Sequence, residues 1–121
     1  GYRELEQMGG RERPSIGKVS PILMARFDVY RSSVGEQLLL DCQSDWLDHF
    51  GTRFVVPLVS NLPVKEVARL HPVLDVRGNH MIMATQLASA VSVTELGPKV
   101  ANLADQHFLI MDALDVLITD Y

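Results

Sequence analysis

The stretch from Ser44 to His49, SDWLDH, holds a serine, two aspartates and a histidine within six positions, the residue types of a hydrolytic centre. A nucleophilic triad needs its hydroxyl, imidazole and carboxylate to converge from separate elements along defined hydrogen-bond directions. Neighbours in one short turn cannot do that, so the crowding predicts no acyl-transfer chemistry. His49, His71, His80 and His107 form no i,i+4 pair and have no cysteine ligand beside them, which removes the usual zinc spacings. No glycine-rich phosphate loop, G-x-S-x-G elbow or HExxH is present. Cys42 is the only cysteine and falls at an apolar alternating position, so it is expected as a small buried hydrophobe. The residues imply no metal, no cofactor and no enzyme.

The totals bound the remaining classes. A chain of 121 residues, 47% apolar, suits one small domain with a single core. Its 11 basic against 15 acidic residues argue against sequence-independent binding to nucleic-acid phosphates, which clustered Lys and Arg drive; a basic partner fits better. No run approaches the roughly 18 apolar residues of a membrane helix, and no signal peptide is apparent, so a soluble cytoplasmic protein is expected. Residues 1–23 contain Gly9-Gly10 and two prolines without a helical or strand period. They are expected to be a leader or cloning-derived segment, with Met24 as a natural start and residues 24–121 as the domain.

From Arg26 onward the pattern is short apolar alternation, which predicts a mainly β fold, a small barrel or sandwich. Phe27 and Val29 share a face of a first strand. After a turn at Ser32–Gly35, Leu38, Leu40 and Cys42 do so in a second, and Phe54, Val56 and Leu58 in a third. Pro57 cannot donate a ladder hydrogen bond, so the third strand is expected at an edge or with a bulge. Gly78-Asn79 predicts a tight hairpin turn, and AVSVTE one more strand. Met81 and Met83, with Leu87, are expected in a core or a subunit contact.

At Gly97-Pro98 the period changes. Proline suits the first position of a helix, and Val100, Leu103, His107, Ile110, Leu114 and Leu117 recur at helical spacing. Phe108, Met111 and Ile118 widen this apolar arc, while Asp105, Asp112 and Asp115 fall on the solvent side. The helix runs to ITDY with no glycine cap and no Lys or Arg in its last turn. Asp115, Asp120 and the terminal carboxylate sit at the negative end of the dipole, each disfavoured by about 0.3 to 1 kcal/mol when exposed. Packing offsets this, a cation arrives, or the end stays solvated and frays.

Taken together, FDVY at 27–30, LDCQSDWLDHFGTRFVVPL at 40–58, HPVLDV at 71–76, MIMATQLASAVSV at 81–93 and DALDVLIT at 112–119 resemble the CcdB family of toxins. The Q-S-D-x-x-D, G-x-R and V-x-P-L series is the most specific part. The resemblance implies an SH3-like barrel of the CcdB/MazF type with a small accessory sheet and a C-terminal helix, paired as a two-fold homodimer. It implies a non-enzymatic toxin of a toxin–antitoxin system that binds the DNA gyrase A subunit, traps gyrase on cleaved DNA, and is neutralised by a CcdA-like antitoxin with a disordered C-terminal tail. Carried onto matching positions, the gyrase surface comprises Ser44, Asp45, Trp46, Leu47 and Asp48 from the turn, with Asp115, Thr119, Asp120 and Tyr121 from the helix end. Trp46 then stacks on a partner guanidinium that the flanking carboxylates attract; alternatively its indole folds back on the barrel as a lid. The family's closing tryptophan, glycine and isoleucine are replaced here by Thr119, Asp120 and Tyr121, and a charged residue at the glycine position removes backbone freedom.

Two other functions compete. One is a non-toxic homologue whose altered tail binds antitoxin without poisoning gyrase. The other is an endoribonuclease like the MazF toxins, which needs a cationic groove, whereas Arg53, Lys65, Arg69 and Arg77 are few and scattered. The loops at Ser32–Gly35 and Asn61–Lys65 are expected to flank the barrel and to meet an antitoxin.

Overall fold

The computed structural model describes residues 25–44, 51–62 and 67–119. Its elements are β1 (Asp28–Ser32), β2 (Leu38–Asp41), β3 (Thr52–Val59), β4 (Val73–Val76), β5 (Asn79–Met83), β6 (Ser89–Ser92), β7 (Leu96–Asn102) and α1 (His107–Thr119). All strand pairs are antiparallel. They form one seven-stranded sheet in the order β4-β5-β3-β2-β1-β7, with β6 branching onto β3, curled as a half-barrel. The mainly β fold with a C-terminal helix is therefore as expected.

The alternation in β1 to β3 places Val29, Leu40, Val56 and Leu58 on one face. There they join Leu74 and Met83, and α1 covers them with Ile110 and Ala113. Each large side chain so enclosed stabilises the fold by about 1.5–3 kcal/mol. Met81 packs against this core, while Leu87 is exposed. No helix among the described residues is long and apolar enough to cross a membrane.

Four local expectations are corrected. β3 is not an edge strand: β2 pairs along one side, and the other side is shared by β6 up to Val55 and β5 from Leu58. Pro57 falls in the gap between them, its carbonyl accepting from Ala84 N–H at 2.9 Å. The missing proline N–H thus faces the one interval of a central strand where no ladder needs it. The hairpin turn is Arg77-Gly78, not Gly78-Asn79. Both turn residues have positive φ, 54° and 90°, and Asn79 already pairs with Val76, as a two-residue type I′ turn requires.

Gly97 and Pro98 lie in β7, a strand that among the described residues pairs only with β1, and do not start a helix. An edge strand tolerates proline as readily as a first helical turn does. The chain leaves β7 at Asn102, whose Oδ1 accepts from Ala104 N–H at 2.9 Å, a local side-chain turn; a 3-10 turn over Ala104–Gln106 follows without a side-chain cap and leads into α1. The AVSVTE segment likewise divides. β6 ends at Ser92, and a 3-10 turn over Val93–Glu95 follows, closed by a Ser92/Glu95 capping box. Gly97 is required for another reason, since a Cβ there would meet Arg31 O at 2.7 Å and Ser32 O at 3.3 Å. Both obstacles are backbone. Gly97→Ala is expected to force β1 and β7 apart and cost about 1–3 kcal/mol; an unchanged urea midpoint would show that the close approach is dispensable.

Candidate functional site

The turn that carries the Q-S-D motif leaves β2 and enters β3, and its base is built from buried polar groups. Asp41 and Arg53 both have fully buried side chains, and Arg53 Nε donates to Asp41 Oδ2 at 2.9 Å. Arg53 Nη2 also lies 2.7 Å from Oδ2, an ion-pair contact rather than a well-directed hydrogen bond. Gln43 N–H donates to Asp41 Oδ1 at 3.0 Å, and Gln43 Oε1 accepts from Phe54 N–H at 2.9 Å. Cys42 N–H donates to Phe54 O at 2.9 Å. Both stems of the turn are thereby clamped to each other. Arg53 Nη1 is buried without an acceptor among the described residues.

The clamp reaches the helix entry through Phe27. Its N–H donates to Asp41 O at 2.6 Å and its carbonyl accepts from Leu103 N–H at 2.8 Å. Phe27 holds a left-handed φ of 71°, a backbone state that persists for a bulky residue only when its surroundings over-determine it. Beside it, buried Asp28 accepts from Tyr30 Oη at 3.2 Å and Asn102 Nδ2 at 2.8 Å, with Lys99 Nζ at 3.8 Å. Burial, then the Asp28 carboxylate, pushes the Tyr30 phenol above its ordinary range, so it stays protonated and donates. Burial also pushes the Asp41 carboxyl up, against the downward pull of Arg53 and Gln43. Cys42 is pushed up to about 12 by burial and then by Asp41, which makes it unreactive, as expected.

At the other predicted half of the site, Thr119 Oγ1 donates to Asp115 O at 2.7 Å, satisfying one of the orphan carbonyls at a helix C-terminus. The last turn of α1 has no basic residue. Asp112 is held below the usual carboxylate range by the Arg69 guanidinium, which donates from Nε at 3.1 Å and Nη2 at 2.7 Å. Phe108, Met111 and Ile118 do not complete the core. They are 81%, 39% and 75% exposed, and with Asp115 between them they follow one helical stripe.

Of the predicted site residues, Ser44 follows the clamp directly, and Asp115 and Thr119 lie together at the helix end. Asp45, Trp46, Leu47 and Asp48, and also Asp120 and Tyr121, lie outside the described residues. The described residues tie the base of the turn to the start of α1 rather than to its tip. Asp41, Gln43 and Arg53 were missed as site-building residues. Their signal was present, since a carboxylate and a guanidinium occupy inward positions two pairs apart on adjoining strands, Asp41 opposite Val55 and Arg53 opposite Val91 on the far side.

Among the described residues no group of His, Cys, Asp or Glu could hold a metal ion. His71 is structural, accepting from Val67 N–H at Nδ1 (2.9 Å) and meeting Gln86 Oε1 from Nε2 (2.7 Å); His80 and His107 are exposed, and His49 lies outside the described residues. Of the scattered cations, Arg53 is committed to Asp41 and Arg69 to Asp112.

A family model described as CcdB protein matches residues 26–120. Among solved structures, the chain is similar to an endoribonuclease from a mycobacterial species, with a TM-score of 0.65 and 14% identity over 78% of this chain and 89% of that one. A mycobacterial endoribonuclease in complex with its cognate antitoxin follows, at 0.62 and 16% over 75% and 90%. The Mycobacterium tuberculosis toxin MazF-mt6 gives 0.60 and 17% over 74% and 93%. At these identities the likeness is one of fold.

Proposed function

The chain belongs to the CcdB protein family, and on that premise we propose that it is the toxin of a toxin–antitoxin pair, acting in the cytoplasm as a homodimer that binds the DNA gyrase A subunit and traps gyrase on cleaved DNA. The observation that carries this reading is the Asp41–Arg53–Gln43 clamp. It fixes the stem of the turn at the family's own motif positions, which is what a recognition loop needs to hold Ser44, Asp45, Trp46, Leu47 and Asp48 in one geometry. The end of α1, whose last turn has no basic residue, with Asp115 and Thr119 and the following Asp120 and Tyr121, supplies the second half of the surface. A cation on gyrase then meets both the indole and the carboxylates.

The exposed stripe of Phe108, Met111 and Ile118 supports two-fold pairing, because apolar side chains of this size on one helix face are ordinarily covered. An antitoxin-bound neighbour of the same fold supports an antitoxin partner, with the loops at Ser32–Gly35 and Asn61–Lys65 as places where it docks. The reaction class is non-enzymatic. RNA cleavage would call on cations such as Arg53 and Arg69, and both are spent on carboxylates. Asp120 and Tyr121 at the family's glycine and isoleucine positions favour one second reading, a homologue that binds antitoxin without poisoning gyrase.

Expression in a gyrase-sensitive bacterium is expected to arrest growth with double-strand breaks, and purified protein to capture gyrase A. Deleting residues 119–121 should abolish capture while leaving the circular dichroism spectrum and dimer unchanged. Unimpaired growth with no capture would leave the non-toxic reading, and restoring glycine at Asp120 should then create toxicity. RNA cleavage by the purified protein would overturn both.

A further inference from the structure

Among the described residues β4 and β7 stand at the two ends of the sheet, and no strand ladder joins them. The register of β4 shows which of its backbone groups look outward. Its two-residue turn makes Val76 and Asn79 a bonded pair, and Met83 N–H donates to Pro72 O at 3.0 Å. By antiparallel alternation Leu74 then bonds to β5, while the amides of Val73 and Asp75 face away from it. At Asp75 both outward groups are taken. Its N–H donates to Gln106 Oε1 at 2.9 Å, and its carbonyl accepts from Gln106 Nε2 at 2.8 Å. A primary amide carries the donor and the acceptor of a peptide unit, so this one side chain stands where a residue of a neighbouring strand would.

Gln106 closes the 3-10 turn Ala104–Gln106, and α1 starts at the next residue. The clasp therefore ties the base of the helix to β4. A second tie follows at Asp112, which takes the Arg69 guanidinium through Nε and Nη2. Apolar packing does not replace these directional contacts. The buried residues of α1 are Ile110 and Ala113, and the hydrophobic effect is non-directional. A helix seated on one isoleucine and one alanine can tilt with little change in the area it buries. The leverage is large, because α1 has 13 residues and spans about 20 Å at 1.5 Å per residue, so a tilt of about 10° at its base moves its tip by about 3 Å.

We propose that Gln106 is a positioning residue: its amide, acting as a surrogate strand residue on β4, sets the tilt of α1 and with it the place of Asp115 and Thr119 relative to the barrel. The inference rests on the gyrase reading above for its functional consequence. The tilt itself is measured without gyrase, so the two fail separately.

The experiment uses the full chain and two variants, Gln106→Ala and Gln106→Glu. Residual dipolar couplings of the α1 amides, referenced to β1, β2 and β3, read the tilt, and capture of purified gyrase A reads its consequence. Gln106→Ala is expected to leave α1 helical, tilt it by about 10° or more and weaken capture by about tenfold or more. Gln106→Glu keeps the length and the acceptor, but when ionised it has no proton for Asp75 O. It would also lie beside a hollow whose charged lining is Asp75, Asp105 and Arg77, two carboxylates against one guanidinium. This variant should match Gln106→Ala at neutral pH and regain the parental tilt at mildly acidic pH, where a protonated carboxyl again donates, whereas the parent keeps one tilt throughout. A role in stability alone would lower the melting temperature and leave the couplings unchanged. Parental couplings in Gln106→Ala overturn the proposal, as does a Gln106→Glu helix that fails to return on acidification; the latter arm decides should Gln106→Ala not fold. A tilted helix that captures gyrase as the parent does would overturn the functional half. No capture by the parent would sink the gyrase reading, and the couplings would still decide the clasp.

Discussion

Arg53→Ala should destabilise the protein by about 3–5 kcal/mol, a large share of the roughly 5–15 kcal/mol that holds a domain of this size together. The cost comes from what remains behind: Asp41, fully buried, loses its guanidinium and keeps its charge. The pH dependence follows from the direction of the Asp41 shift. Burial raises its folded pKa above the unfolded value, so above the folded pKa the ionised carboxylate weighs against folding, and the penalty lifts as pH falls through that pKa. Removing Arg53 takes away the main downward pull and moves the window upward. The deficit of the variant relative to the parent should therefore be largest at neutral pH and shrink on acidification. Urea midpoints at neutral and mildly acidic pH measure it; a deficit below about 1 kcal/mol, or one that grows on acidification, would mean that the pair is effectively solvated.

The double variant Asp41→Leu/Arg53→Met separates stability from function. Apolar replacement of a whole buried ion pair is commonly neutral or stabilising, by about 1–4 kcal/mol, yet here it also deprives Gln43 N–H of its acceptor and frees the turn. The expected outcome is a folded protein that no longer captures gyrase A. If capture survives, the clamp is ornamental to recognition and the proposed site loses its support.

If the proposed dimer pairs through the exposed stripe of α1, Phe108→Asp combined with Ile118→Asp should convert it to a monomer without unfolding it. Both side chains are mostly exposed in the single chain, at 81% and 75%, so the fold has little to lose. In an isologous interface each substitution acts twice. With about 1.5 kcal/mol for each apolar side chain left unburied, four sites amount to about 6 kcal/mol, or about four orders of magnitude in dimer Kd. Sedimentation equilibrium reads this directly. A variant that remains dimeric would place the interface elsewhere, and its circular dichroism controls for misfolding.

What the chain's own pattern determined is local. Strands through Val29, Leu38 and Leu40, and Val56 and Leu58 were legible because a strand with one buried face must alternate, although Phe27 precedes β1 in a left-handed turn and Phe54 is exposed; α1 from His107 was legible because Ile110, Leu114 and Leu117 recur at helical spacing. The family motifs were legible for the same reason, being fixed residue types at fixed intervals. Two signals were ambiguous locally. Proline suits an edge strand as well as a helix start, so Gly97-Pro98 points locally to either, and Pro57 calls for an edge or a bulge although it stands in the central strand.

Only the tertiary structure decided those cases, because where a backbone N–H is needed depends on which strand arrives from elsewhere in the chain. β5 and β6 divide the far side of β3 and leave Pro57 the gap between them. The pairing of Asp41 with Arg53 and the bridge from Gln106 to Asp75 are likewise long-range facts. A side chain's period is set by its neighbours along the chain, whereas its partner is set by a fold that brings distant charges within a few ångströms.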